Sequence, residues 1–181
     1  MKSIAIIVAV FTGLLSSAIS LTKAWSCKDA QISFFSSAPL EDIEAISKLG
    51  ASAFSTTTGD IVFKVWNSTF QFEKKLMQEH FNENYMESER YPTSEFRGKV
   101  LEANKLEKEG SYELEVTGML NIHGISKQYH TKVQIRSANN ILIAKGSFDV
   151  RLADHNIKIP TVVGKNIAEV VKVKFEVAYK Q

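Results

Sequence analysis

Read at period two, the second half of the chain alternates apolar and polar positions with few interruptions. Tyr112, Leu114, Val116, Leu120 and Ile122 interleave with Glu113, Glu115, Thr117 and Asn121, and Gly118 falls on the apolar side. Such alternation predicts a strand with one buried face; the glycine marks a point where the strand bends or leaves room. Tyr129, Thr131, Val133 and Ile135 repeat the rule, joined to the first run by His123-Gly124-Ile125-Ser126, which has the length and glycine content of a hairpin connection. Asn139-Asn140 predicts the next turn, after which Leu142, Ala144, Gly146, Phe148 and Val150 share a face. In the last segment Val171, Val173, Phe175, Val177 and Tyr179 oppose Lys172, Lys174 and Glu176. That strand is expected to close the sheet against an N-terminal strand around residues 32–35.

Upstream, residues 51–55 and 61–66 flank Thr58-Gly59-Asp60, a further hairpin with Ile61, Phe63 and Val65 pointing one way. Residues 40–46 carry Glu41, Asp42 and Glu44 and fit a short helix or an exposed edge equally. Between Asp149 and Glu169 the mixed composition predicts a rim loop with one helical turn. Only one segment switches to helical spacing: Phe72, Leu76, Met77, His80 and Phe81 predict an amphipathic helix over 72–81, with Glu73, Lys74, Lys75 and Gln78 toward water. A lone helix in a strand-rich chain covers the end of a barrel or sandwich, here as a lid that gates the interior or as a fixed plug. About eight hairpin-connected strands with no βαβ period predict an all-β fold, an antiparallel eight-stranded barrel with one capping α-helix. Closure is favoured because an open sheet would expose two edges. The interior of such a barrel is either packed shut or just wide enough for a slender ligand.

The ends and the charge refine this picture. Met1-Lys2-Ser3 followed by an apolar run over 4–15 predicts a signal peptide over residues 1–20, cut after Ser20 or as late as residue 24, ahead of Trp25. The run falls short of the roughly 20 residues a spanning helix needs, which disfavours a permanent anchor. The expected mature chain is one barrel domain over 25–181, periplasmic or secreted. The sequence contains one cysteine, Cys27, so no disulfide forms within the chain; a free or buried thiol is expected there rather than a lipid-modified one, because bulky Trp25 precedes it. Net charge is +2 with acids and bases interspersed. No basic cluster exists to release counterions from phosphates, which excludes nucleic acid as a partner and argues against strongly electrostatic membrane binding.

Chemistry-bearing residues are sparse. His80, His123, His130 and His155 have no helical or strand-borne metal spacing, and neither a metal nor a cofactor is expected. His80 is expected partly buried and hydrogen-bonded on the helix's apolar side, and His123 to satisfy backbone groups of its turn. Gly-x-Ser-x-Gly is absent, Ser126 beside His123 has no acidic partner nearby in sequence, and Glu89 or Glu95 would act as lone acids; an enzyme is not expected. Asn67-Ser68-Thr69 matches a glycosylation acceptor and reads as an exposed strand end. Arg97 and Lys99, opposite Phe96 on their strand, are expected to be solvated.

Phe72-Glu73, Asn84-Tyr85, Glu89-Arg90-Tyr91-Pro92 and Phe96, followed by the run from Val116 through Asn121-Ile122-His123-Gly124-Ile125-Ser126-Lys127, resemble the YceI-like family, with fitting order and spacing over about residues 30–179. The resemblance implies a small secreted or periplasmic protein with a lipocalin-like barrel that binds a polyisoprenoid or another long-chain amphiphile. It implies carriage, not catalysis. The chain departs from many relatives over residues 40–50, which are acidic and short where others carry His- and Gly-rich strands; this bears on ligand identity more than on fold.

The expected ligand-binding walls are Phe34, Phe63, Val65, Leu114, Val116, Leu120, Val133, Phe148 (or Ile143), Val173 and Phe175, with Leu76 and Phe81 from the helix and Tyr85 and Tyr91 from the rim. Hydroxyls of Tyr85, Tyr91, Tyr112 and Tyr129 are expected near the ligand's polar end. The expected partner is a long-chain isoprenoid or other lipid; transient membrane contact and a homodimer are both compatible with the sequence. Two rival readings remain: a stress-related or partner-binding barrel with a filled core, and a weak hydrolase or isomerase acting on a bound lipid through His123.

Overall fold

Two-residue turns fix the order of the C-terminal strands. In the computed structural model, which describes residues 24–37, 42–159 and 168–180, His123 and Gly124 both adopt positive φ (51° and 74°) between the paired Ile122 and Ile125. Asn139 and Asn140 do the same (51° and 58°) between Ala138 and Ile141. Positive φ at both positions is the type I′ geometry whose twist matches that of the flanking strands. These turns join β6 (Gly110–Ile122), β7 (Ile125–Ala138) and β8 (Ile141–Arg151), three strands of a meander.

Before them come β1 (Ala24–Ser37), β2 (Asp42–Ser55), β3 (Asp60–Trp66), the two-residue β4 (Gln71–Phe72) and β5 (Thr93–Val100); β9 (Val170–Lys180) ends the sheet. The order β1-β9-β8-β7-β6-β5-β3-β2 closes where β2 pairs back to β1, giving an eight-stranded antiparallel barrel among the described residues. Residues 42–46, ambiguous in sequence, are strand because Phe34 and Phe35 of β1 pair with Ala45 and Glu44. As expected, β9 closes on β1, with Ile32 opposite Phe175 and Phe34 opposite Val173.

The helix is shorter than its pattern predicts. Phe72 is taken by β4, opposite Ala45, so α1 starts at Lys75 and ends at His80; a wide π-type turn, Phe81–Tyr85, continues it. Leu76 is thereby turned outward, 60 % exposed, which corrects its expected inward placement. Met77, next along the chain, faces the interior instead. A 3-10 turn, Leu152–His155, follows β8 and supplies the single helical turn expected in the rim loop. The predicted signal peptide and residues 160–167 of that loop lie outside the described residues.

One barrel end is solid. Trp25, Phe54, Leu114, Ile135, Leu142 and Tyr179 meet there with Ala103 and Leu106 of a second 3-10 turn, Ala103–Glu107. Tyr179 donates to Ser52 Oγ (2.8 Å), because the Ser52 hydroxyl hydrogen is committed to the Val62 carbonyl (2.8 Å). Burial pushes the Tyr179 phenol up to about 12. Cys27 is a buried free thiol that donates to Asp29. The outer surface carries cross-strand ion pairs such as Lys132–Glu113, Lys145–Glu176 and Lys99–Asp60; Arg97 pairs with Glu95 on its own strand, and Arg97 and Lys99 are solvated, as expected.

Candidate ligand-binding interior

Period-two alternation directs one face of each strand into the barrel, and those faces do not meet completely. A deep hollow of about 110 Å³ is walled by Phe54, Ile61, Phe63, Phe96, Val116, Val133, Ile135, Ala144, Phe175 and Tyr179, among others. A second, of about 250 Å³, lies beneath the cap and is walled by Phe34, Phe70, Phe72, Met77, Phe81, Tyr85, Met86 and Val173, among others. Ile32, Val65, Ser94, Leu120 and Phe148 border both, so the two adjoin. For scale, an apolar protein cavity of about 150 Å³ stays dry and admits benzene.

Aromatic rings shape these hollows. Phe34 and Phe81 stack nearly parallel with centroids 5.5 Å apart, and Phe70 and Phe72 close the same cluster at 5.1 to 5.8 Å. Deeper, Gly98 and Gly118 pair across β5 and β6, and a Cβ at Gly118 would stand 2.7 Å from the Phe96 ring. The room that Gly118 leaves is taken by the close approach of the β5 backbone at Arg97 and Gly98 together with the Phe96 ring. Phe175 covers Gly146 in the same way, where an added Cβ would meet its ring at 2.6 Å.

Of the expected wall residues, Phe63, Val116, Val133 and Phe175 border the deep hollow, and Phe34, Phe81, Tyr85 and Val173 the outer one; Val65, Leu120 and Phe148 border both. Leu114 instead packs into the solid end, and Leu76 lies outside. The tyrosine hydroxyls do not converge. Tyr112 donates to the Lys108 carbonyl (3.1 Å) next to the second 3-10 turn, at the solid end. Tyr91 packs edge-on against His123, centroids 4.5 Å apart, outside both hollows. Tyr129 borders the deep hollow with its ring and gives its hydroxyl to His155 (3.0 Å). Tyr85 alone of the four reaches the outer hollow, and its half-desolvated phenol is pushed upward. Phe96, Ile61, Ile32 and Phe54 were legible as walls by alternation with their neighbours; Phe70, in the irregular link before β4, carried no period and was not.

The motif residues build a clasp beside the mouth. Gly124 leaves the space for Tyr91, whose ring an added Cβ would approach to 2.6 Å. Asn67, fully buried, donates Nδ2–H to the Tyr91 carbonyl (2.7 Å) and accepts from the Ser94 hydroxyl (2.9 Å), and its backbone N–H bonds to the Pro92 carbonyl (2.9 Å). This corrects the expectation of an exposed strand end: both ends of its carboxamide are engaged inside the protein. His123 faces two acceptors, the His155 carbonyl from Nδ1 (3.2 Å) and the Glu87 carboxylate from Nε2 (2.9 Å). Both partners only accept, so the imidazolium makes both bonds and the neutral ring one. His123 thus ties the hairpin to the cap loop and to the 3-10 turn after β8, rather than to its own turn. His155, fully buried, donates Nδ1–H to the Ile125 carbonyl (3.0 Å) and accepts from Tyr129; burial holds it below the ordinary histidine range. His80 lies exposed at the rim of the outer hollow, more open than expected. Among the described residues no cluster of His, Cys, Asp and Glu is arranged to hold a metal ion.

Solved structures share this architecture. A polyisoprenoid binding domain from Saccharophagus degradans superposes with TM-score 0.76 at 14 % identity, covering 88 % of this chain and 98 % of its own. Burkholderia cenocepacia BcnA gives 0.70 at 16 % identity, with 82 % and 95 % covered. The Campylobacter jejuni YCEI protein gives 0.56 at 15 % identity over 100 % and 99 %. No curated protein sequence matches the chain. The YceI-like domain model matches residues 28–179, which spans the barrel from β1 to β9 and includes the cap and the clasp, and the chain belongs to that family.

Proposed function

We propose that this protein is an exported carrier that holds one long-chain apolar molecule, polyisoprenoid or fatty-acid-like, inside its barrel. The observation that carries the reading is the pair of adjoining hollows whose shared and inner walls are almost wholly apolar, with Tyr85 and His80 at the cap side. The polyisoprenoid binding of the S. degradans relative supports the same ligand class, and the signal-peptide pattern supports export.

The energetics suffice without a charged anchor. Burying about a dozen methylenes at roughly 0.8 kcal/mol each gives on the order of 10 kcal/mol gross. Ordering and immobilisation cost several kcal/mol of that, which leaves binding in about the micromolar range or weaker. Carriage is favoured over conversion because His123 borders neither hollow and its two nitrogens are engaged by Glu87 and the His155 carbonyl.

Native mass spectrometry of protein purified from its host tests the reading, together with titration by a fluorescent polyene fatty acid. A bound lipid mass and saturable uptake are expected. A clean unliganded mass combined with no uptake overturns it.

A further inference from the structure

The barrel wall is interrupted between β7 and β8. Their pairing runs from Ala138 with Ile141 to Val133 with Gly146 and stops there. Yet β7 continues through residues 125–132, paired to β6 as far as Ile125 with Ile122, and β8 continues through residues 147–151, paired to β9 as far as Arg151 with Val170. Each strand stays intact while the two part company on the mouth half of the barrel. Where β2 leaves β3 on that half, β4 pairs with β2 and α1 follows it; at β7–β8 no strand among the described residues takes the vacant edge.

Side chains close this split. The Thr131 hydroxyl donates across it to the Ser147 carbonyl (3.1 Å), and the Tyr129 ring meets Phe148 edge-on at 5.6 Å. Tyr129 also lies parallel to the His155 ring, centroids 6.0 Å apart and planes within 19°, with its hydroxyl latched on Nε2. On its inner side Tyr129 borders the deep hollow; on its outer side it borders a surface groove with Lys127, Asp149, Arg151 and Asp154. The Tyr129 ring therefore stands between the apolar interior and the surface groove where β7 and β8 do not pair.

We propose that the β7–β8 split is a side portal, with Tyr129 as its door and the Tyr129–His155 bond as its latch, through which a single-chain amphiphile slides tail-first into the deep hollow. The inference rests on the carrier reading and adds the route. Turning a side chain about its own bonds breaks one hydrogen bond and two ring contacts, whereas lifting the cap breaks the β4–β2 pairing, the phenylalanine cluster and the His123–Glu87 tie together. The gap one ring leaves admits one alkyl chain, so a two-tailed phospholipid is excluded and a fatty acid or prenyl chain accepted. During entry the polar end trails through the outer groove, which Lys127, Arg151, Asp149 and Asp154 line, and the seated chain then extends into the outer hollow with that end toward Tyr85 and His80.

Stopped-flow uptake and release of cis-parinaric acid, a single-chain fluorescent probe, tests the route. Extending the register from Val133 with Gly146 sets exposed His130 opposite exposed Asp149. A His130→Cys/Asp149→Cys protein stapled with a reducible bismaleimide is expected to take up and release the probe at least tenfold more slowly, and to recover when the linker is reduced. Tyr129→Phe keeps the ring and removes the latch, and its uptake and release rates are both expected to rise several-fold. Unchanged rates in both proteins, with the probe bound as tightly as by the wild type, overturn the portal and leave the carrier reading standing. A wild-type protein that takes up no probe removes both.

Discussion

Asn67 shows how far a residue's role can lie from its local sequence. Its Asn-Ser-Thr context reads as a surface acceptor, but the side chain is fully buried and bridges Tyr91 and Ser94, residues more than twenty positions away. Replacing it by alanine takes the carboxamide partner from the half-buried Tyr91 carbonyl and Ser94 hydroxyl. Leaving buried groups unpaired costs about 1–3 kcal/mol, so Asn67→Ala is expected to lower the thermal midpoint by roughly 2–12 °C in a chain of this size. Calorimetry checks the shift, and expression in a glycosylating host followed by intact-mass measurement is expected to find Asn67 unmodified. Gly118, Gly146 and the inward phenylalanines were, by contrast, legible as one face of their strands. Which ring covers which glycine was not, because that depends on cross-strand register, and local alternation is silent about it.

At the scale of elements, strands and turns followed from alternation and from paired residues that tolerate positive φ. The cap did not, because Phe72 satisfies a helical stripe and a strand pairing equally and the edge of β2 claims it. The clasp explains why Tyr91-Pro92 and His123-Gly124 occur together, a juxtaposition that no local rule predicts. His123→Asn separates the turn from the tie, since asparagine accepts the left-handed conformation but cannot span Glu87 and the His155 carbonyl together. Faster amide exchange confined to about residues 82–91, with barrel strands unchanged, is the expected result by hydrogen–deuterium exchange mass spectrometry; uniform protection would show that the cap does not depend on the tie. His155 adds a pH dependence. Its folded pKa is depressed by burial, so as pH falls below about 6.5 the unfolded chain binds a proton that the folded chain resists. Stability is full above that value and is lost as pH falls from there toward the folded pKa. The thermal midpoint of the wild type is expected to drop over this interval more steeply than that of His155→Asn, which starts lower for want of the Tyr129 and Ile125 partners.

The whole molecule is a barrel solid at one end, hollow in the middle and capped at the other, and this polarity has a consequence for which ligands fit. A chain lying in both hollows ends against the solid end, where Phe54, Ile135, Leu142 and Tyr179 close the deep space. Ala144, on β8 opposite Val177 and Ile135, borders that space with the smallest side chain in its neighbourhood. Ala144→Leu brings three more carbons into a hollow of about 110 Å³. The ligand's last two methylenes would then be displaced, at about 0.8 kcal/mol each, which is close to a tenfold loss of affinity. Octadecanoic acid is therefore expected to bind about tenfold more weakly to the variant than to the wild type, and dodecanoic acid, too short to reach Ala144, equally well to both. Overpacking costs about 1–3 kcal/mol where no hollow exists to receive the added carbons; here the hollow receives them, and the thermal midpoint is expected to fall by no more than a few degrees. Competition titrations against cis-parinaric acid measure the two affinities. Equal weakening of both acids would mean that the variant disturbs the whole interior, and a large stability loss with neither affinity changed would mean that the deep space is core and the ligand stays under the cap.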